Sequence, residues 1–245
     1  MEVHGVVEKE AVIRQILVIT DGCSNVGEDP VGIAAKAKRK GIVVNVIGVI
    51  DKGAAGREGH TEAMSIADAG GGMCRIVHAT ELSATAQMVT HQTMQMTLAQ
   101  VVNKELMQTL GKTSEELPPT DRARVMQVVD KLEEEIKLEL VVAIDNSASM
   151  RDKLSMVREA LSDLALSLQA RSGPAEVAVL IFPGSSDEMT TLVQPFQSGV
   201  DAGALGNLLS ARGGTPTGPA IEAATLLFDD ERDRVPGASD EAMYS

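Results

Sequence analysis

Three short segments carry the side chains that could do chemistry. They are Asp145-Asn146-Ser147-Ala148-Ser149, Gly213-Gly214-Thr215-Pro216-Thr217 and Thr20-Asp21-Gly22-Cys23-Ser24-Asn25. Their donors are carboxylates and hydroxyls, with no His or Cys required. Hard oxygen ligands of this kind suit Mg²⁺ or Mn²⁺, or else Ca²⁺, better than zinc. The D-x-S-x-S spacing turns three side chains toward one point. Asp145 and Asp21 supply the carboxylates of the three segments, so a bound divalent cation would stay partly unneutralised and could take a carboxylate from a partner. Each segment alone is an ordinary turn, because Asp, Ser and Gly are common turn residues. The specificity lies in the three together.

The competing chemistries find less support. Ser24, Ser147 and His60 lack the G-x-S-x-G elbow of a hydrolase. Gly213–Gly218 is followed by no G-K-[ST], so it is no phosphate-binding loop of that kind. Gly70-Gly71-Gly72 follows a helix and reads as its stop, not as a dinucleotide fingerprint. The four His residues, His4, His60, His78 and His91, show no ligand spacing, and His4 and His91 read as surface or helix-face residues. Cys23 lies inside one of the loops and reads as packing. Met88, Met94, Met96 and Met107 read as core filling.

The elements that must position the loops follow from the apolar pattern. Short runs rich in β-branched residues at 16–19, 42–49, 74–78, 138–144 and 177–182, with a weaker one at 190–193, read as strands. Helices are expected at 30–40, 61–69 with Thr61 as N-cap, 83–110, 120–135, 152–170, 201–210 and 219–228. Val125, Val128, Val129 and Leu132 share one face of the 120–135 helix, while Glu133–Glu135 read as solvated. Alternating strands and helices mean an α/β fold of three layers, α-β-α, around a mostly parallel six-stranded Rossmann-like sheet. The hairpin-like pair at 177–193 adds one antiparallel edge strand. In such sheets sites form at the carboxyl ends of strands. The Asp145 and Asp21 loops stand there, and the Thr215 loop could reach the same edge.

Composition narrows the function. The chain has 245 residues, a formal net charge of −13, 44% apolar residues and 2% aromatics without Trp. Acidity argues against nucleic-acid and anionic-membrane binding, and the lack of aromatics removes stacking platforms. No apolar stretch approaches the roughly 20 residues of a membrane span. The polar start at 1–9 is no signal peptide. Two cysteines make no disulfide scaffold. A soluble cytoplasmic protein is expected.

At the three loops the sequence resembles the von Willebrand factor A (vWA) family and its metal-ion-dependent adhesion site (MIDAS). The family's D-x-S-x-S, its Thr in a Gly-Gly-Thr-x-Thr loop and its T-D-G match Asp145, Ser147 and Ser149, then Thr215, then Asp21. Ile16–Asn25, Ala34–Gly48, Ile66–Gly71 and Gly213–Ile221 look like the family as well, which extends the resemblance over most of the chain. The resemblance implies a Mg²⁺ site, with Mn²⁺ or Ca²⁺ as alternatives. Ser147, Ser149 and Thr215 would bind the metal directly, and Asp145 and Asp21 would act mainly through water. It also implies a protein partner that presents an Asp or Glu. Cys23, Ser24, Asn25, Asn146 and Pro216 would form the rim facing that partner.

The order of the motifs differs from the family's, in which T-D-G follows the Gly-Gly-Thr loop. Here it comes first. Residues 12–110 resemble the second half of the fold, 138–228 the first half, and 111–137 a helical linker. The expectation is one circularly permuted domain over 1–228 and an acidic flexible tail over 229–245, similar to small permuted vWA proteins of spore-forming bacteria. A linker of that length favours closure within one chain over a domain-swapped dimer. Two other functions compete with cation-dependent binding. One is a Mg²⁺-dependent phosphohydrolase, for which no general base or substrate cradle is visible. The other is an interaction protein working through the helices at 83–135.

Overall fold

The computed structural model describes residues 12–50, 57–185, 188–201 and 213–233. The expected helix at 201–210 and the end of the acidic tail lie outside these residues. Six strands form one sheet: β1 (Val12–Thr20), β2 (Ile42–Ile50), β3 (Gly71–His78), β4 (Lys137–Asp145), β5 (Ala175–Phe182) and β6 (Thr191–Gln197). Their spatial order is β3-β2-β1-β4-β5-β6. All neighbours are parallel except β5 and β6, which are antiparallel. The expected α/β class and antiparallel edge strand are both present.

The helices are α1 (Pro30–Arg39), α2 (Arg57–Gly70), α3 (Leu82–Leu110), α4 (Pro119–Glu135), α5 (Leu154–Gln169) and α6 (Thr217–Asp233). They cover both faces of the sheet, so the inner strands are apolar on both sides. One core joins Leu17, Ile19, Leu140, Val142 and Ile144 to α3 and α5. The other joins Ile16, Val18, Val141 and Ala143 to α1, α2 and α6. Each fully buried Val, Leu or Ile contributes roughly 1.5–3 kcal/mol. A polar seam crosses the first core. Gln15, Asn45, Thr90 and Thr93 are all buried. Gln15 Nε2 donates to the Thr90 carbonyl at 3.3 Å, Asn45 Nδ2 to Gln15 Oε1 at 3.3 Å and Thr93 Oγ1 to Asn45 Oδ1 at 2.9 Å. This seam fixes the register of α3 on the sheet, because any slip leaves buried amides unpaired.

Several element boundaries differ from the sequence expectation. Helix α2 starts at Arg57, so Thr61 is no N-cap; it lies inside the helix, where its carbonyl accepts from Ser65 Oγ at 2.9 Å. Helix α6 continues to Asp233, five residues past the expected stop at 228, since no Gly or Pro intervenes to end it. Of the four Met residues read as core, only Met94 is buried; Met88, Met96 and Met107 are exposed. Glu133, read as solvated, is 8% exposed and pairs with His91 Nδ1 at 3.2 Å. On α4 only Val129 of the apolar face is buried, and Val128 is 51% exposed. The buried residues of α3 run from Leu82 to Leu98 and those of α4 are Val129 and Glu133, so helical spacing alone does not tell which positions are covered. Among the described residues no helix is long and apolar enough to cross a membrane.

Candidate metal site

The central strands β1 and β4 run side by side, with Ile19 opposite Ile144. From β1 the chain passes through α1 to β2 on one side. From β4 it passes through α5 to β5 on the other, and the two helices pack on opposite faces. A crevice therefore opens between the carboxyl ends of β1 and β4, at the point where the winding reverses direction. Thr20 and Asp21 end one strand and Asp145 ends the other.

A chain of hydrogen bonds crosses this crevice. Thr20 Oγ1 donates to Asp145 Oδ2 at 2.6 Å, and the Ser147 amide donates to Asp145 Oδ1 at 2.8 Å. Ser147 Oγ and Ser149 Oγ lie 3.1 Å apart. Ser149 Oγ donates to Asp21 Oδ1 at 2.7 Å, which joins residues 128 positions apart in sequence. Asp21 Oδ2 accepts from Lys153 Nζ at 2.7 Å, and the same ammonium reaches the Ser149 carbonyl at 3.3 Å. Burial pushes the Asp145 carboxyl above its usual range. Its bonds from Thr20 and Ser147 oppose the shift, and the nearby charge of Asp21 adds to it.

The third loop stands next to the Asp21 loop. Asn25 Oδ1 accepts from the Thr215 amide at 2.7 Å, and the Asn25 amide donates to the Thr215 carbonyl at 3.1 Å. Close backbone approach explains the glycines here. A Cβ on Gly218 would meet the Glu28 carbonyl oxygen at 2.0 Å, and one on Gly214 would meet Asn25 Oδ1 at 2.6 Å. Thr215 is thereby held buried at the start of α6. Two residues on, the Thr217 hydroxyl is buried without a hydrogen-bond partner among the described residues.

Asp145, Ser147, Ser149 and Asp21 are thus directly linked, and Thr215 is attached to the same edge through Asn25. Of the expected rim, Asn146 and Pro216 are buried, Cys23 and Ser24 are half-buried, and Asn25 is exposed. The Ser24 amide donates to Glu62 Oε2 at 2.6 Å, which braces the loop from α2. Sequence reasoning did not single out Thr20, Glu62 or Lys153. Lys153 carries no local signal, since it stands directly before α5, where a lysine ordinarily lies in water.

The donor set fits a small hard cation. Mg²⁺ takes oxygens at 2.0–2.1 Å in an octahedron, so adjacent ligands lie about 3.0 Å apart. The two serine hydroxyls match that spacing. With their protons on carboxylates, as Ser149 does with Asp21, both keep a lone pair for a cation. Among the described residues no group of three or more His, Cys, Asp and Glu side chains is placed to hold a metal ion, so any cation here would rest on the hydroxyls.

A six-stranded α/β sheet with this edge defines a vWA-type domain, and the comparisons with known proteins agree. The family profile "von Willebrand factor type A domain" matches residues 140–240. The "Uncharacterized protein YabS" of Bacillus subtilis (strain 168) is 49% identical over 224 residues, 91% of each chain. The crystal structure of an uncharacterized protein from Alicyclobacillus acidocaldarius is 64% identical, with a TM-score of 0.88 over 91% of this chain and 97% of that one. The chain belongs to the von Willebrand factor type A domain family.

Proposed function

We propose that this chain is a divalent-cation-dependent protein-binding domain whose site is completed by an Asp or Glu from the partner. The observation that carries this reading is the 3.1 Å pair of serine hydroxyls, bracketed by Asp145 and Asp21 at the crevice between β1 and β4. Ser147, Ser149 and Thr215 would hold Mg²⁺ directly. Asp145 and Asp21 would orient those hydroxyls and the bound water and balance charge. When bound, the ion supplies an electrophilic position for an incoming carboxylate. Two carboxylates do not saturate it, so an acidic side chain from outside is a favoured further ligand.

The same reading takes residues 1–228 as one domain in circularly permuted order, with a tail beyond. Support comes from the pairing of β1 with β4 over eight positions, which joins residues 12–20 to residues 137–145 within one chain. Helices α3 and α4 provide the return path from the β3 edge to the centre of the sheet. The reading favours a monomer over a domain-swapped dimer, since pairing within one chain needs no exchange of halves to complete the site. The cytoplasm, where Mg²⁺ is abundant and thiols stay reduced, is the compartment that suits it.

Isothermal titration of the purified chain with Mg²⁺ tests the site. The wild type should bind with one-to-one stoichiometry and gain thermal stability that EDTA removes. Asp145→Ala should lose both responses while keeping the far-ultraviolet circular dichroism of the fold. An unchanged Mg²⁺ response in that variant would sink the assignment.

A further inference from the structure

Lys153 is 5% exposed, an expensive position for an ammonium. It precedes α5 and sends Nζ back under the site, 2.7 Å from Asp21 Oδ2. The other oxygen of the same carboxylate accepts from Ser149 Oγ. Asp21 is thus shared between a fixed internal cation and one of the serines that would face the metal.

Charge counting gives the consequence. Among the described residues, Asp145 and Asp21 bring two negative charges to the serine pair and Lys153 brings one positive charge, so these three groups together carry one net negative charge. A divalent ion turns this into one net positive charge. Without the ammonium, the same ion would leave the site neutral. Lys153 also draws electron density from Asp21, which weakens its grip on the Ser149 proton and makes that hydroxyl a poorer donor to a metal. Both effects lower the affinity for the cation and raise the attraction of the loaded site for an anion.

We propose that Lys153 is a specificity-determining residue: it holds the site's own affinity for Mg²⁺ down and makes retention of the ion depend on an incoming carboxylate. The inference rests on the metal reading above and assigns a role to a residue outside the ligand set. The physical result is a site that binds ion and acidic partner together better than either alone.

The test is Mg²⁺ titration of the full chain by calorimetry, in chloride and in acetate at equal ionic strength. Acetate serves as the minimal carboxylate. In the wild type, acetate should tighten Mg²⁺ binding, and by linkage Mg²⁺ should tighten acetate binding by the same factor. Lys153→Met should bind Mg²⁺ about tenfold more tightly and lose most of the acetate coupling. Lys153→Gln should behave like Met, and Lys153→Arg like the wild type. Equal or weaker Mg²⁺ affinity in two folded neutral variants would overturn the proposal and leave Lys153 as a mere brace for Asp21. If the neutral variants do not fold, the wild type still decides: no tightening by acetate overturns the carboxylate dependence. Failure of the wild type to bind Mg²⁺ at all is a separate result, which removes the metal reading and this inference with it.

Discussion

The two ends of the central strand pair hold the same kinds of charge in different proportions. At the amino ends, Arg14 Nε meets Glu139 Oε2 at 2.8 Å, and Lys137 Nζ meets Glu139 Oε1 at 3.1 Å and Glu176 Oε2 at 2.8 Å. Two cations answer two carboxylates. Burial pulls the Lys137 ammonium down, but its bonds to Glu176 and Glu139 and their charges prevail and raise it. At the carboxyl ends, among the described residues, Lys153 answers Asp21, while Asp145 and the second oxygen of Asp21 are met by hydroxyls and the Ser147 amide. Among the described residues the first end balances its charges and serves stability, whereas the second has one more carboxylate than cation and is rich in hard oxygen donors, which is the condition for recruiting a cation.

Breaking the complete end should have the largest effect on the fold and none on the site. Glu139→Ala leaves Arg14 and Lys137 facing each other across a buried position and should cost about 3 kcal/mol. That corresponds to a fall of roughly 6–12 °C in melting temperature for a chain of this size. The Mg²⁺-induced shift, measured in the same melts, should persist. A lost Mg²⁺ response would show that the two ends are coupled.

Neutralising the incomplete end should act in the opposite direction. Asp145→Asn keeps the shape but removes a buried charge, and without metal it should raise stability by about 1 kcal/mol at pH 7. It should also abolish the Mg²⁺ response. The sign with pH follows from the raised folded-state value of Asp145. A group of this kind favours folding below its unfolded pKa, about 3.9, and that contribution is lost as pH rises through the folded value. The advantage of Asp145→Asn should therefore shrink on acidification. Mg²⁺ stabilisation of the wild type should weaken over the same range, because protons compete for Asp145. Melts at pH 5 and pH 7.5, with and without Mg²⁺, measure both trends.

The smallest effect is expected on the helical return path. Val128 is 51% exposed on α4, so Val128→Lys should change stability by no more than about 0.5 kcal/mol. It should leave Mg²⁺ binding untouched. Loss of partner capture in this variant, with an intact Mg²⁺ titration, would move the binding surface from the strand ends to the helices.

Much of this architecture was legible in the chain. Runs such as Leu140–Ile144 are apolar at every position, as a strand covered on both faces requires, and the inner strands β1, β2, β4 and β5 each carry such a run. The polar positions Gln15 and Asn45 gave no such signal, since their partners Thr90 and Thr93 come from a helix far along the sequence. The α3–α4 pair misled for a related reason. Its Met and Val residues have helical spacing, but spacing cannot say whether a second layer covers the face. Lys153 escaped notice because a lysine before a helix usually lies in water, and only the position of Asp21 keeps this one buried.

The class of fold and the oxygen-donor character of the three loops can be read from the chain, because apolar periodicity and oxygen-only motifs are local properties. The tertiary structure decided how they combine. It placed Asp21 on Ser149 across 128 positions, set Lys153 against the same carboxylate and, among the described residues, left these groups with one carboxylate more than cations. That balance depends on distances between strands that are neighbours in the sheet and remote in the chain, so no local pattern could have carried it.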